Sequence, residues 1–191
     1  MTYRDTRILT LRWATQLITA SYNFRVYQPS MIADSLRSLI TYHEWATQRM
    51  LGACMEVSEG DYRRDLGLDH GSIHDMLNYQ LNIERRWMGS YLNDHSDASE
   101  VNIRGRDSLA AALRGQCRKW RELAAGLEDT HLDDVTKTVG TTGIKCELTH
   151  AELLFEVINF GVLQRGKLTY AVTWLGVPDP ETDFISYRSS P

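Results

Sequence analysis

The stretch Glu156-Val-Ile-Asn-Phe-Gly-Val-Leu-Gln-Arg-Gly-Lys167 decides how the rest of the chain is interpreted. It lies inside a longer run, from about Thr149 to Leu175, whose residues favour a helix. Residues four apart stand one above the other on a helix, so Glu156, Phe160 and Gln164 are expected to share one face. The stretch therefore predicts a helix on which a carboxylate, an aromatic ring and an amide point in the same direction.

Three further stretches carry the spacing of a helix. Apolar residues recur at helical intervals in each of them, and the four expected helices cover about 31–57, 72–92, 107–127 and 149–175. Ser30 and Ser72 are suitable caps for the first two helices, and Thr149 with Glu152 forms a capping box at the start of the last. Gly176 follows that last helix, as is usual at a helix end. These signals predict a mainly helical chain.

A short β-hairpin is expected between the third and fourth helices. The runs Val135-Thr-Lys-Thr-Val139 and Ile144-Lys-Cys-Glu-Leu148 flank Gly140-Thr-Thr-Gly143. A short turn bounded by glycines between two such runs is typical of a hairpin. Residues 60–71 and 93–106 are polar, and we expect both to be loops.

Four separated motifs carry a resemblance to a known family. Tyr42-His-Glu-Trp-Ala-Thr47 is similar to the motif Y-N-x-W-A-N, and Ser72–Trp87 is similar to S-I-x-x-T-L-x-H-x-L-x-x-E-x-x-W. The opening stretch is similar to H-x-x-N-H-x-x-x-H-R-G-Q, and Asp183-Phe-Ile-Ser-Tyr187 matches a D-x-x-x-Y tail. All four occur in the order found in the DinB/YfiT-like helical-bundle superfamily. From about Met31 to Tyr187, the chain resembles that superfamily.

The resemblance implies an architecture for the whole chain. It predicts an all-α fold, an up-down four-helix bundle with a small β-hairpin insertion, covering residues 31–187 and forming a homodimer. Residues 1–30 are then an N-terminal extension, and residues 188–191 are a tail. The extension is expected to be an added helix or a poorly ordered segment, unless translation naturally starts at Met31.

The resemblance also implies a metal site, and its ligands are replaced in this chain. In the family, three histidines from two helices hold zinc, nickel or a similar ion, which several members use to activate a thiol such as bacillithiol or mycothiol. The matching positions here are Tyr79, Phe160 and Gln164. Phenylalanine cannot ligate, neutral glutamine is a weak ligand, and tyrosine must first lose a proton whose pKa is about 10. We therefore predict no metal and no cofactor, and a metal-dependent thiol transferase is the least favoured function.

The replaced positions suggest an organic-ligand pocket instead. Two aromatic rings and an amide are typical pocket residues, so Tyr79, Phe160 and Gln164 are the predicted ligand-binding residues. Arg165 is first expected in a structural salt bridge and second as a partner for an anionic ligand. Glu156 or His43 is the predicted proton carrier, and Tyr79 is the predicted hydrogen-bond donor to the ligand.

Several functions stay open at this point. A metal-free enzyme needs a pocket and a working acid–base group, whereas a binding protein needs only the pocket. A structural or dimerising protein has a filled core, in which Glu156 and His43 form a hydrogen-bonded polar pair. An open cavity at the three replaced positions favours the first two functions.

Composition narrows the partners. The chain has 191 residues and a formal net charge of −4, which gives no basic footprint for nucleic acid. No apolar run is long enough to span a bilayer and no signal-peptide pattern is present, so we expect a cytoplasmic protein without a membrane partner.

The remaining histidines and cysteines give weaker signals. His70 and His74 are four residues apart, but Gly71 and Ser72 lie at the expected helix start. A solvated loop histidine and a first-turn histidine are therefore expected rather than a metal clip. Three cysteines without a C-x-x-C spacing are expected to be reduced thiols, and Cys54 and Cys117 fall on apolar stripes that predict burial.

Overall fold

The computed structural model describes residues 30–96 and 99–190. The predictions for the N-terminal extension and for the side chain of Ser30 lie outside this part of the chain. The elements, in order, are α1 Ser30–Glu56, α2 Glu59–Arg63, α3 Ile73–Leu92, α4 Arg106–Ala125, a 3-10 turn Asp129–His131, β1 Val135–Val139, β2 Lys145–Thr149, α5 His150–Trp174 and α6 Phe184–Ser189. The described fold is mostly helical, with one small antiparallel sheet.

Local signals in the sequence fix most of the helix ends. The Ser72 hydroxyl accepts a hydrogen bond from the backbone N–H of Asp75, and Thr149 and Glu152 form the predicted capping box. Gly176 has φ +87, a left-handed conformation that glycine adopts without strain. These three predictions are confirmed, and α1, α3 and α5 agree with the predicted helices to within one or two residues.

Two helical segments were not predicted. The expected loop 60–71 overlaps the short helix α2, in which Ser58 caps the first turn and Tyr62 is fully buried. Arg106 covers the Tyr62 ring, with its guanidinium carbon 4.4 Å from the ring centre. The second segment is α6, which is capped by Asp183. Both helices have six residues or fewer, too few for a hydrophobic period to be visible in the sequence.

The predicted hairpin is present and is attached to α3. β1 and β2 pair antiparallel in a register that sets Thr138 opposite Cys146. The indole N–H of Trp87 donates to the Val139 carbonyl at 3.1 Å, and the Thr136 hydroxyl donates to the Ser90 carbonyl at 2.6 Å. The hairpin therefore closes one side of the molecule beside the C-terminal half of α3.

The core shows how the four long helices run. One apolar cluster joins the end of α1 with the start of α3, the start of α4 and the end of α5, and a second cluster joins the opposite halves. Consequently α3 and α4 run in the same direction, opposite to α1 and α5. This corrects the predicted up-down alternation to an up, down, down, up order.

The segment between α3 and α4 makes the parallel arrangement possible. It runs back along α3, because Asn82 exchanges two hydrogen bonds with the backbone of Val101, both at 2.8 Å. One turn earlier on α3, Asn78 pairs in the same way with the backbone of Ile103. Two asparagine side chains of α3 therefore satisfy the backbone hydrogen-bonding groups of Val101 and Ile103, which would otherwise lie unpaired against the helix.

The end of the chain packs against α1. The Tyr42 hydroxyl donates to the Thr182 carbonyl at 2.9 Å, and Arg49 donates to the Pro180 carbonyl at 2.7 Å. The rings of Phe184 and Tyr187 lie 5.3 Å and 5.8 Å from the Tyr42 ring. Tyr42 is therefore held between α1 and the C-terminal segment. Within the described ranges, no helix combines the length and apolar character needed to cross a membrane.

Candidate functional site

Two of the three positions at which the family resemblance implies metal histidines, Tyr79 and Phe160, form an aromatic cluster with Trp87 and His70. Phe160 is 3% exposed, and its ring packs edge-on against Tyr79 at 5.9 Å and Trp87 at 5.2 Å between ring centres. Tyr79 is half-buried, and its other contact is a stacked His70 ring at 3.6 Å. The structure thus brings two of the predicted ligand-binding residues, Tyr79 and Phe160, into contact.

This cluster does not fit a metal ion. Phe160 provides a hydrocarbon ring where a histidine nitrogen would be needed, and that ring is packed on two sides. The remaining donors are the Tyr79 phenol and the amide of Gln164, which is buried and whose oxygen has no hydrogen-bond partner among the described residues. One phenol and one amide are too few for the zinc or nickel chemistry of a three-histidine site.

A second group of polar side chains lies buried between the four long helices. His43 comes from α1, Glu84 from α3, Cys117 from α4 and Arg165 from α5, and none of the four is more than 2% exposed. We call these four residues the polar centre. His43 is close to α5, because a Cβ added at Gly161 would lie 2.5 Å from its Nδ1 atom. A glycine at position 161 is therefore required for the imidazole to sit where it does.

Arg165 organises the polar centre. Its guanidinium lies 3.2 Å from His43 Nδ1, 3.5 Å from the Thr47 hydroxyl and 3.4 Å from the Tyr42 hydroxyl. It also covers the face of the Tyr42 ring at 5.3 Å. A guanidinium has only donors, so Nδ1 of His43 must accept, and a neutral His43 carries its proton on Nε2. The tautomer follows from the contact with Arg165.

Glu84 lies on the other side of the His43 ring. Its Oε1 atom is 3.4 Å from His43 Nε2, within ion-pair distance but without the geometry of a hydrogen bond, and it accepts a 2.8 Å bond from the Gln80 amide. Its second oxygen, Oε2, has no partner among the described residues. Arg165, His43 and Glu84 therefore form a row in which an imidazole separates a buried cation from a buried carboxylate.

Cys117 completes the polar centre as a neutral thiol. Burial raises the pKa of Cys117 well above its ordinary value, and the Glu84 carboxylate raises it further. A hydrogen bond with Thr47 acts in the opposite direction but is the smaller effect. The thiol is thus protonated at neutral pH and is not a nucleophile in this state.

The polar centre contains a candidate set of metal ligands. One donor atom each from His43, Glu84 and Cys117 lie within 4.8 Å of one another. A histidine that binds a metal through Nε2 normally keeps a proton on Nδ1 and donates it to an acceptor. Here Nδ1 faces a guanidinium, which cannot accept. The three residues are therefore a possible metal-binding group, and the contact of Arg165 with Nδ1 opposes metal binding through Nε2 as long as it is kept.

Glu156 lies in a different environment from His43. It lines a cavity of about 620 Å³ between the start of α1, the hairpin and the start of α5. Trp87 lies in the wall of this cavity, and Leu36 and Phe155 contribute apolar surface. The Glu152 carboxylate also lines it but is engaged in the capping box, whereas Glu156 has no ion pair or hydrogen bond among the described residues. His43 is fully buried and is not part of this lining.

His74 and Cys54 lie in buried surroundings outside the polar centre. His74 is buried and its Nε2 atom pairs with the Asn78 amide at 3.2 Å, and burial lowers its pKa. Burial raises the pKa of Cys54 to about 12, as expected for a thiol on an apolar stripe. Cys146 is the exception, because it is half-buried in the hairpin.

Two members of the polar centre were not among the predicted site residues. Cys117 was predicted only as a buried hydrophobe, and its burial is confirmed. Glu84 falls on the apolar stripe of α3 with Leu77, Leu81 and Met88, and a carboxylate on such a stripe was the available signal of a buried polar group. Their contact with His43 joins three helices and could not be deduced from spacing.

Comparison with known proteins identifies the family of this chain. No curated protein matched it. The sequence model of the DinB family matches residues 31–190. The match begins where the resemblance in the sequence was expected to begin, and it covers α1 to α6 together with the aromatic cluster and the polar centre. The chain belongs to the DinB family.

Proposed function

We propose that this DinB family member is a four-helix bundle that binds a small organic cation in the cavity beside its aromatic cluster, without a metal at the family position. The observation that carries the proposal is Glu156, a carboxylate without a protein partner among the described residues, in a largely apolar cavity of about 620 Å³. Pockets of this size with few polar groups are typical of small-molecule sites.

The chemistry of the lining selects the ligand class. The apolar residues favour a hydrocarbon or aromatic body, and the exposed Phe155 offers a ring for stacking or for a cation–π contact. The unpaired Glu156 carboxylate favours an amine, since an ammonium group both neutralises Glu156 and donates hydrogen bonds to it. An aryl-alkylamine satisfies both requirements.

The cavity is connected to the predicted ligand-binding residues through ring contacts. Trp87 lies in its wall and packs on Phe160, which in turn packs on Tyr79. The aromatic cluster therefore supports the wall of the cavity through the contact between Phe160 and Trp87. If chemistry follows binding, Glu156 is the group placed to accept a proton from the ligand. The roles predicted for His43, Tyr79, Gln164 and Arg165 toward a ligand stay predictions.

Calorimetric titration with tryptamine tests the proposal. Tryptophol, which replaces the amine with a hydroxyl on the same indole, is the matched neutral probe. We expect tryptamine to bind at least tenfold more tightly than tryptophol, a difference of about 1.4 kcal/mol, and Glu156→Gln to remove this preference. Glu122→Gln, which changes the same charge on another part of the surface, should keep it. Equal binding of both probes to the wild type, or no binding of either, would overturn the proposal.

A second candidate function is self-association through α5. Its solvent side carries five exposed apolar side chains, which we call the outer face of α5: Phe155, Val162, Leu163, Tyr170 and Trp174. At 3.6 residues per turn these positions fall within about one third of the helix circumference. Several exposed apolar side chains in one sector of a helix support a protein contact, and the homodimer expected from the family resemblance would pair two copies of this face about a two-fold axis.

A further inference from the structure

A second cavity, of about 540 Å³, lies between the C-terminal half of α3 and the hairpin. Arg86 approaches it from α3, and Lys137 and Lys145 approach it from the two strands. Thr138 and Cys146, which are cross-strand neighbours, line both this cavity and the Glu156 cavity. We call this second cavity the cationic cleft. The hairpin thus separates a cavity whose charged residues are acidic from a cavity whose charged residues are mainly basic.

The charge of the cleft is unusual for this chain. Three cations and a single carboxylate, Glu147, line it, in a protein whose formal net charge is −4. The partners of two of these cations are weak. Lys137 lies 3.7 Å from Glu147, and Arg86 lies 3.3 Å from Glu100, in each case with a largely exposed carboxylate. Exposed pairs of this kind contribute little and release their cations readily to a better partner.

Lys145 has no carboxylate partner within the described part of the chain. Its cross-strand neighbour is Val139, which provides no charge. Cross-strand pairing therefore explains Lys137, which faces Glu147, but does not explain Lys145. Lys145 lines a cavity that already contains two other cations, and a bound anion would relieve the repulsion among the three.

Thr138 provides an independent sign of a missing partner. It is 5% exposed, and its hydroxyl has no hydrogen-bond partner among the described residues. Buried hydroxyl groups are normally satisfied, because an unmade hydrogen bond costs about 1–3 kcal/mol. A hydroxyl is able to donate to an anion oxygen, and this one belongs to a residue in the wall of the cleft.

We propose that the cationic cleft is a binding site for a small molecule bearing an oxyanion, a carboxylate or a phosphate, held by Arg86, Lys137 and Lys145. A carboxylate presents its acceptor oxygens in a plane and a phosphate presents them at the corners of a tetrahedron. Both arrangements match the N–H donors of arginine and lysine. The proposal stands apart from the cation-binding cavity of Glu156, since it uses other charged residues.

Cys146 allows the cleft to be tested directly. It is half-buried in the wall of the cleft, whereas Cys54 and Cys117 are buried in the core. Iodoacetamide, a small uncharged reagent, should therefore alkylate Cys146 first in the folded protein. The rate at Cys146 is followed by peptide mass spectrometry with and without inorganic phosphate or citrate, at constant ionic strength set with sodium chloride. Each variant is compared with its own rate without the added anion.

We expect phosphate or citrate to slow alkylation of Cys146 in a saturable manner, by threefold or more. The double variant Lys137→Gln and Lys145→Gln should lose this protection, whereas Lys119→Gln, a lysine that lines a different cavity, should keep it. Protection by phosphate alone or by citrate alone identifies the class of oxyanion. Protection by neither anion, or equal protection in the double variant, would overturn the proposal.

Discussion

The two faces of α5 each carry residues that depart from the usual arrangement of a helix at the surface of a protein. Its buried face carries Gln164 and Arg165, each 2% exposed, whereas on its outer face Leu163 and Trp174 are 54% and 62% exposed. A surface helix normally buries its apolar residues and exposes its polar ones. The burial of Gln164 and Arg165 therefore has to be explained by their particular partners and not by their polarity.

The two faces differ in what holds each residue in place. A buried polar group is tolerated only where its hydrogen bonds are made, so Arg165 is restricted to one arrangement by His43, Thr47 and Tyr42. An exposed leucine or tryptophan costs the monomer little, so the outer face is free to vary unless something binds it. Changes on the inner face should therefore act on stability, whereas changes on the outer face should act on the self-association proposed above.

The largest effect is expected from Arg165→Met. This change removes the buried cation together with its hydrogen bonds to His43, Thr47 and Tyr42. A buried polar group left without its partner costs about 1–3 kcal/mol, so the loss of several such bonds should lower the free energy of unfolding measured with urea by about 3 kcal/mol. Arg118→Met on the exposed side of α4 is the matched control and should change stability by less than about 0.5 kcal/mol.

The same variant tests the tautomer of His43. Without the guanidinium, Nδ1 is free to carry a proton, and Nε2 can then bind a metal together with Glu84 and Cys117. Zinc should therefore raise the melting temperature of Arg165→Met and leave that of the wild type unchanged. Stoichiometric zinc in the wild-type protein, measured by elemental mass spectrometry, would contradict the assignment of the proton to Nε2.

An intermediate effect is expected where α5 approaches His43. Gly161→Ala places a Cβ 2.5 Å from His43 Nδ1, so the ring or the helix has to move, and overpacking of this kind costs about 1–3 kcal/mol. Gly166→Ala is the matched change on the same helix, with no atom within 4 Å of the added carbon. It should stabilise the protein by about 0.5–1 kcal/mol, since alanine is the better helix former. Destabilisation of similar size by both changes would mean that the contact with His43 is not the cause.

The smallest effect on the folded monomer is expected from the outer face of α5. Replacing Leu163 and Tyr170 with lysine should change the free energy of unfolding of the monomer by no more than about 0.5 kcal/mol, because both side chains are largely exposed. The same change should convert a dimer to a monomer in sedimentation velocity experiments, because it buries charges in the interface. A wild-type protein that sediments as a monomer at micromolar concentration would count against self-association through this face.

Features encoded by neighbouring residues were predictable from the sequence. The capping box at Thr149, the cap at Ser72 and the hairpin around Gly140 each depend on residues a few positions apart, and all three are confirmed. Family membership was predictable for a related reason, since its motifs are short and ordered. The direction of α4 was not predictable, because the crossover before it is polar and carries no local signal of its path along α3.

The polar centre was the least predictable part of the molecule. His43 and Arg165 are 122 residues apart in the chain, and nothing near either residue indicates the other. Gly161 fits the same description, because its closeness to His43 becomes apparent only when α1 and α5 are packed together. Contacts of this kind depend on the tertiary arrangement of helices, which spacing along one helix does not specify.

The attachment of the C-terminal segment to Tyr42 has a consequence for limited proteolysis. Tyr42 supports Arg165 and is itself held by the carbonyl of Thr182 and by the rings of Phe184 and Tyr187. A cleavage that removes this segment would take away the acceptor of the Tyr42 hydroxyl and two rings that pack on Tyr42. The Arg165 guanidinium would then lose the support of one of its three polar partners, although the cut lies outside the long helices.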